Sequence, residues 1–249
     1  MLASVRVERL PGLSAFFPAY NEQENVAAMV GRLRDVLPAI ADEYEIIIVN
    51  DGSTDRTAAI ADELAAADAH VRVVHHAVNR GYGGALKSGL AASRLPYVFF
   101  TDGDGQFDVG EIRTLLPFVP AYDIVVGYRM ERAEGGLRRV NAAAWNWLVR
   151  RLFHIPVRDV DCAFKLLDRR VLEIVQPEAE GAMISTELLA RAVRAGFRVR
   201  EVGVHHLPRT HGKPTGAHPL VVARAFYELF RLYRRIHASA AAPARAGSA

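Results

Sequence analysis

Apolar positions in the first half of the chain follow two periods, and the two alternate. Leu13–Pro18 is a short apolar run closed by proline, the pattern of a strand. From Val26 the apolar side chains fall at Val26, Met29, Val30, Leu33, Val36 and Leu37, the stripe of an amphipathic helix. Asn21, with Glu24 three residues later, predicts a capping pair at its start. Glu45–Val49 is a nearly unbroken β-branched run, as expected of a strand buried on both faces. A turn at Asn50–Asp55 leads to a helix over Thr57–Ala67, a strand at Val71–Val74 and a small-residue helix at Gly83–Ala92. A strand at Tyr97–Thr101, a helix near Val109–Phe118 and a strand at Asp123–Gly127 complete this half.

Strands separated by single helices predict an α/β fold: a mostly parallel sheet with right-handed crossovers, flanked by helices. Ligands of such sheets bind beyond the carboxyl ends of the strands. Three polar turns stand at those ends: Pro18–Glu22, Asn50–Asp55 and Asp102–Gln106. The second half is less regular. Leu137–Phe153 reads as a helix and Ala163–Leu167 as a short strand. Ser185–Ala195 reads as a helix capped by its serine and stopped by Gly196. Phe197–Val204 is a strand, His205–His218 a loop, Pro219–His237 an amphipathic helix and Ala238–Ala249 a disordered tail. The chain therefore reads as one domain over residues 1–237, with halves at about 13–130 and 131–217 and the last helix at 219–237.

Composition changes this picture little. At 51% hydrophobic and 24% charged residues the chain is not a disordered one. A net charge of +3 argues only weakly for an anionic partner, and no nucleic acid is expected. Apart from three lysines the cationic residues are arginines, whose planar fork suits phosphate, although compositional bias accounts for most of them. The single cysteine, Cys162, excludes an internal disulfide and a cysteine-based zinc site, which fits a reducing compartment. The first twenty residues lack the apolar core of a signal peptide, and no run approaches the ~18–20 apolar residues that cross a bilayer. A cytoplasmic chain is expected, peripheral on a membrane's inner face if it meets one.

The turn Thr101-Asp102-Gly103-Asp104-Gly105-Gln106 is the clearest chemical signal. Two carboxylates and an amide oxygen at alternate positions, with glycine between, can converge on one hard cation such as Mg²⁺ or Mn²⁺. Such a cation neutralises a diphosphate leaving group. Two aspartates at the end of a buried strand repel each other unless something cationic joins them. Asn50-Asp51-Gly52-Ser53-Thr54-Asp55 offers carboxylates and backbone N–H groups that could grip a base and ribose, or merely a turn capped by Ser53 or Thr54.

Taken with Pro18-Ala19-Tyr20-Asn21-Glu22, and with Asn79-Arg80-Gly81 followed by Lys87 and Gly89, these motifs resemble the family 2 glycosyltransferases of GT-A fold. The resemblance covers about residues 13–210. Asp159-Val160-Asp161-Cys162-Ala163-Phe164-Lys165 looks like the Asp-x-x-Ser/Cys-Gly-Phe-Arg/Lys stretch of the subgroup typified by dolichyl-phosphate mannose synthase and the bacterial polyprenyl-phosphate glycosyltransferases, with Ala163 in place of glycine. Arg209-x-x-Gly212-Lys213 resembles that subgroup's Arg-x-x-Gly-x-Ser-Lys loop, with Lys213-Pro214 in place of Ser-Lys.

The resemblance implies a nucleotide-diphosphate sugar donor, UDP- or GDP-linked, and a polyprenyl phosphate acceptor. Pro18, Tyr20, Glu22, Asp51, Ser53, Asp55 and Lys87 would serve the nucleotide, while Asp102, Asp104 and Gln106 would hold metal and diphosphate. Arg129, Arg209 and Lys213 would meet phosphate. A phosphate acceptor is already ionised and needs positioning more than proton abstraction. A hydroxyl acceptor would need a base, and Asp159 is preferred over Asp161 because it holds the family's aspartate position.

Other classes fit less well. The Asp-x-Asp-Gly loop of haloacid-dehalogenase-type phosphatases follows the first strand, whereas here the motif follows the fourth. Gly81-x-Gly83-Gly84 is not a full dinucleotide fingerprint. A non-catalytic sugar-binding module would not need all three candidate metal ligands. The last helix carries an apolar stripe from Val221 to Ile236 with Arg224, Arg231, Arg234 and Arg235 mostly off it. It fits an anionic membrane interface and a packed helix with a solvated basic face equally well.

Overall fold

The computed structural model describes residues 9–119, 121–130, 136–208 and 219–238. The predicted alternation appears in chain order as β1 (Leu10–Ala19), α1 (Val26–Ile40), β2 (Ala41–Asn50), α2 (Thr57–Ala67), β3 (Val71–His75), α3 (Gly81–Ala92) and β4 (Tyr97–Phe100). Then come α4 (Ile112–Leu115), flanked by short 3-10 turns, β5 (Ile124–Arg129), α5 (Gly136–Phe153) and β6 (Lys165–Asp168). The chain continues through α6 (Arg170–Ile174), α7 (Ile184–Arg194), β7 (Val199–Val204) and α8 (Pro219–Ala238).

The seven strands form one sheet in the order β3-β2-β1-β4-β6-β5-β7. Its period of two divides the interior. Phe17, Ile46, Ile48 and Phe99 face the layer of α1, α2 and α4. Phe16, Ile47, Val49 and Phe100 face the layer of α3, α5, α7 and α8. Gly89 of α3 lies against Phe16, where an added Cβ would come within 2.2 Å of the ring, so only glycine lets this helix approach β1.

All pairings are parallel except those of β6, which runs antiparallel to both β4 and β5. That polarity matters for function. A reversed strand begins at the edge where its neighbours end, so the turn before β6 joins the ends of β1, β2 and β4. With Lys165 opposite Phe100, the turn that carries Asp161 enters β6 at the end where Asp102 and Asp104 follow β4.

Three local expectations are corrected. Asn21 does not cap α1: it sits at φ 56° and its side-chain oxygen accepts from the Thr54 amide, tying two strand-end turns together. Neither Ser53 nor Thr54 caps α2, whose first amide, Thr57 N–H, donates to Asp55 instead. Ser185 lies inside α7 rather than before it, although Gly196 does close that helix at φ 88°, with Phe197 N–H donating to Ala192. The short helix α6 was not expected. The expected tail beyond Ala238 lies outside the described residues, as does the loop from 209 to 218.

Candidate active site

A cleft of about 590 Å³ opens where β1, β2 and β4 end. Pro18, Tyr20 and Glu22 form one wall, continuing β1. Asp51 follows β2, and Asp102, Gly103 and Asp104 follow β4. Asp161 enters from the turn before β6, and Ala182 and Ser185 from the start of α7. Seven of the residues singled out in the sequence thus line one cleft: Pro18, Tyr20, Glu22, Asp51, Asp102, Asp104 and Asp161.

The β2 turn is held rigid by its own polar groups. Asp51 is buried, and its Oδ1 accepts from His76 Nδ1 at 2.6 Å and from the Arg80 amide at 2.8 Å. His76 Nε2 in turn lies 2.8 Å from Ser88 Oγ, so a chain from α3 orients this carboxylate. Gly52 at φ 69° packs against the Val78–Asn79 backbone, where an added Cβ would lie at 2.6 Å. Ser53 and Asp55 do not line the cleft. Ser53 Oγ accepts from the Asn21 amide and Asp55 from those of Gln23 and Thr57, so both brace the turn.

The β4 turn is built differently. Gly103 crosses over Pro18, whose carbonyl would stand 2.4 Å from any Cβ there. The backbone thus tucks between two aspartates that point into one cleft. Burial, with the neighbouring Asp104 charge, raises the Asp102 carboxyl to about 6, against the pull of a hydrogen bond from Tyr82. Burial and the Asp102 charge likewise hold the Tyr82 phenol well above its usual range. Two neighbouring carboxylates at one cleft, one of them with its ionised form disfavoured by burial and by the other's charge, provide what a divalent cation requires, so the donor set fits Mg²⁺ or Mn²⁺. Gln106 contributes less clearly: it is not part of the wall, and its side-chain nitrogen donates to the Leu207 carbonyl.

Behind the cleft lies a charged layer. Arg129, at the end of β5, donates from Nε and Nη2 to the two oxygens of Asp159 at 2.7 and 2.8 Å. Burial works against the guanidinium, but Asp159 more than offsets it and keeps it cationic. The partner of Asp159 is thus Arg129, while Arg158 pairs with Glu201 and covers the Tyr128 ring. Lys165 is wholly buried, donating to the Cys162 carbonyl and, at 3.4 Å, to Ser185 Oγ. Burial lowers its pKa, against the attraction of Cys162, Asp161, Asp159 and Asp102. Lys87 points away from the cleft and donates to the Glu178 carbonyl at 3.1 Å. Arg209 and Lys213 lie outside the described residues.

Residues 14–174 match the family model "Glycosyl transferase family 2". The chain belongs to that family. This family 2 glycosyltransferase is 35% identical over 209 residues to glycosyltransferase AglD of Haloferax volcanii, covering 79% of this chain and 33% of that protein. It is 33% identical to polyprenol monophosphomannose synthase of Mycolicibacterium smegmatis, over 78% of this chain and 77% of that one. Among solved structures it matches glucosyl-3-phosphoglycerate synthase of Mycobacterium tuberculosis, in complex with Mn²⁺, UDP-glucose and phosphoglyceric acid, with a TM-score of 0.68. That match has 21% identity and covers 92% of this chain and 81% of that one. The fold is thus GT-A, as the strand-end motifs implied.

Tyr82, His76 and Lys165 were not singled out as site residues. Tyr82 follows directly on Asn79-Arg80-Gly81, so its position could have drawn notice. The turn at 159–164 marked Lys165 as part of a motif, but nothing in its spacing shows that it is buried under acidic residues.

Proposed function

We propose that this glycosyltransferase moves a hexosyl group from a UDP- or GDP-sugar to a polyprenyl phosphate, with inversion and with Mg²⁺ or Mn²⁺ bound at Asp102 and Asp104. One observation carries the reading: both aspartates of the β4 turn and the braced Asp51 of the β2 turn line a single cleft. Asp51 would accept from a base and Tyr20 would flank it, since both line the cleft. Pro18 and Glu22 would complete that end, with Ser53 and Asp55 holding its shape. A cation shared between the two aspartates and the diphosphate would neutralise the leaving group. Asp102 and Asp104 hold that position, and Tyr82 orients Asp102 through its hydroxyl.

Several relatives favour the lipid acceptor. Besides the mannose synthase, an undecaprenyl-phosphate mannosyltransferase of Micrococcus luteus is 28% identical over 79% of this chain and 84% of its own length. A phosphate acceptor arrives ionised, so the chain's task is to orient it and exclude water. Arg209 and Lys213 are proposed for that contact. Arg129 would reach phosphate only by leaving Asp159, so its first role is to hold that carboxylate and add positive potential behind the cleft. If the acceptor were a hydroxyl, Asp161 becomes the better base, because it lines the cleft while both oxygens of Asp159 are held by Arg129. The place of action would be the inner face of a plasma membrane.

The test is transfer itself. Radiolabelled sugar from UDP- and GDP-donors should pass into organic solvent when polyprenyl phosphate is supplied with Mn²⁺. Label appearing only in the aqueous phase, on a soluble hydroxyl acceptor, would remove the lipid-phosphate reading.

A further inference from the structure

The charge of this chain is distributed unevenly. Helices α5 and α8 together carry eight arginines and one glutamate, whereas the whole chain has a net charge of only +3. The remainder is therefore net acidic, and these two helices hold the chain's excess of positive charge. The two helices lie together: the Trp145 ring meets Phe226 edge-on at 5.3 Å, and Phe153 meets Tyr233 at 6.1 Å.

Of the two sequence readings of α8, packing on the domain accounts for one of its faces. Leu229, Leu232 and Ile236 are buried in the core, so the helix packs on the domain. Its outer face is not simply polar. Phe226, Tyr227 and Phe230 are 51%, 64% and 60% exposed, and Trp147 on the outer side of α5 is 66% exposed. Large aromatics left out of the interior in such number mark a contact surface. Around them stand the exposed arginines Arg150, Arg151, Arg231 and Arg234, the last lying over the Phe230 ring at 5.9 Å. The one acidic residue, Glu228, turns inward to Gly181, where an added Cβ would lie 2.4 Å from its carboxylate.

We infer that the outer face of α5 and α8 is a docking surface for an anionic lipid bilayer, with the aromatic rings entering the headgroup layer and the arginines meeting its phosphates. Aromatic rings rimmed by arginine complement that partner in both polarity and charge. The inference rests on the lipid-phosphate reading for its purpose and supplies the geometry that reading needs. Arg235, on the inner side of α8, pairs with Glu178 at 3.2 Å, and buried Glu187 accepts from the Glu178 and Ala179 amides. The segment so held runs on to Ala182 at the cleft wall, so seating α8 on a membrane fixes the cleft's distance from the lipid surface.

Sedimentation of the full chain with vesicles tests this. Phosphatidylglycerol-containing vesicles should bring it down, and pure phosphatidylcholine vesicles much less. Arg231→Glu with Arg234→Glu should weaken binding by about fivefold or more per arginine, and added salt should do the same to the wild type. Phe230→Ala with Trp147→Ala should weaken it by about tenfold even at low salt. In every variant the stabilisation by UDP or GDP with Mn²⁺ should match the wild type, which shows intact folding and separates this surface from the cleft. If the nucleotides fail to stabilise any form while vesicles still bind, the donor reading falls and the surface stands. Absence of anionic-vesicle binding, or binding indifferent to all four substitutions, overturns the inference. So does a dimer in solution that Phe230→Ala dissolves, since a second copy would then cover the face.

Discussion

The two sides of the sheet hold their strand-end acids in different ways. On the β1–β2–β3 side these acids are held by an imidazole and by backbone amides: Asp51 by His76 and the Arg80 amide, Asp55 by the amides of Thr57 and Gln23. On the β5–β6–β7 side charge answers charge: Arg129 clasps Asp159, Lys165 sits beneath Asp102 and Asp161, and Glu187 meets Arg191. The β4 turn lies between them, and Asp102 and Asp104 face each other there with their charges only partly offset. A preformed hydrogen-bonded network suits the unchanging part of a ligand, its base and ribose. A balanced ionic layer suits the part whose charge changes as a diphosphate departs.

The contrast can be broken most sharply at its middle. Asp104→Ala should lower transfer by roughly 10³-fold while leaving the melting temperature unchanged or raised, since a repelling carboxylate is removed. Steady-state transfer assays beside thermal unfolding check both halves. Next in size is the ionic side. Asp159→Asn strands a largely buried Arg129 and should cost about 3 kcal/mol in denaturant unfolding, whereas replacing both partners by apolar residues should cost far less. A smaller effect is expected at the hydrogen-bonded β2 turn: His76→Ala frees Asp51 and should raise the donor KM about tenfold with little change in kcat.

Acidity gives a weaker handle. The folded-state pKa of Asp102 is about 6, raised from 3.8, so the favourable contribution of its protonated form is complete below about 3.8 and is lost as pH rises through about 6. The metal-free protein should therefore show this group destabilising it between those values. Mn²⁺ should reverse the trend at neutral pH and bind less well below about 6. Thermal melts across pH with chelator and with Mn²⁺ report it. The smallest response is expected at Cys162, whose thiol burial and the Asp159 charge push up to about 12. Alkylating reagents should leave it unmodified until the chain unfolds.

The same contrast explains what could be read from the chain beforehand. Alternating periods in residues 10–100 report parallel strands and helices directly, because each element buries a regular face. Motifs at their ends therefore fell where the cleft is. The reversal of β6 has no periodic signature: Lys165–Asp168 is too short to show a direction, and only pairing with Phe100 through Tyr97 sets it. Nor does the sequence show that Lys165 is buried or that Arg129 spends its fork on Asp159, since both depend on contacts across non-adjacent strands. Asn21 was misread for a similar reason: its partner, Thr54, is distant in sequence but next to it at the strand ends.

Calorimetric titration of UDP and GDP into the protein, with Mn²⁺ and with chelator, reaches the central claim most directly. One of the nucleotides should bind with Mn²⁺ and lose most of its affinity with chelator, and Asp102→Ala and Asp104→Ala should abolish the metal-dependent part. Equal binding with and without the cation, or metal-dependent binding untouched by both substitutions, would contradict a cation shared between those carboxylates and a diphosphate.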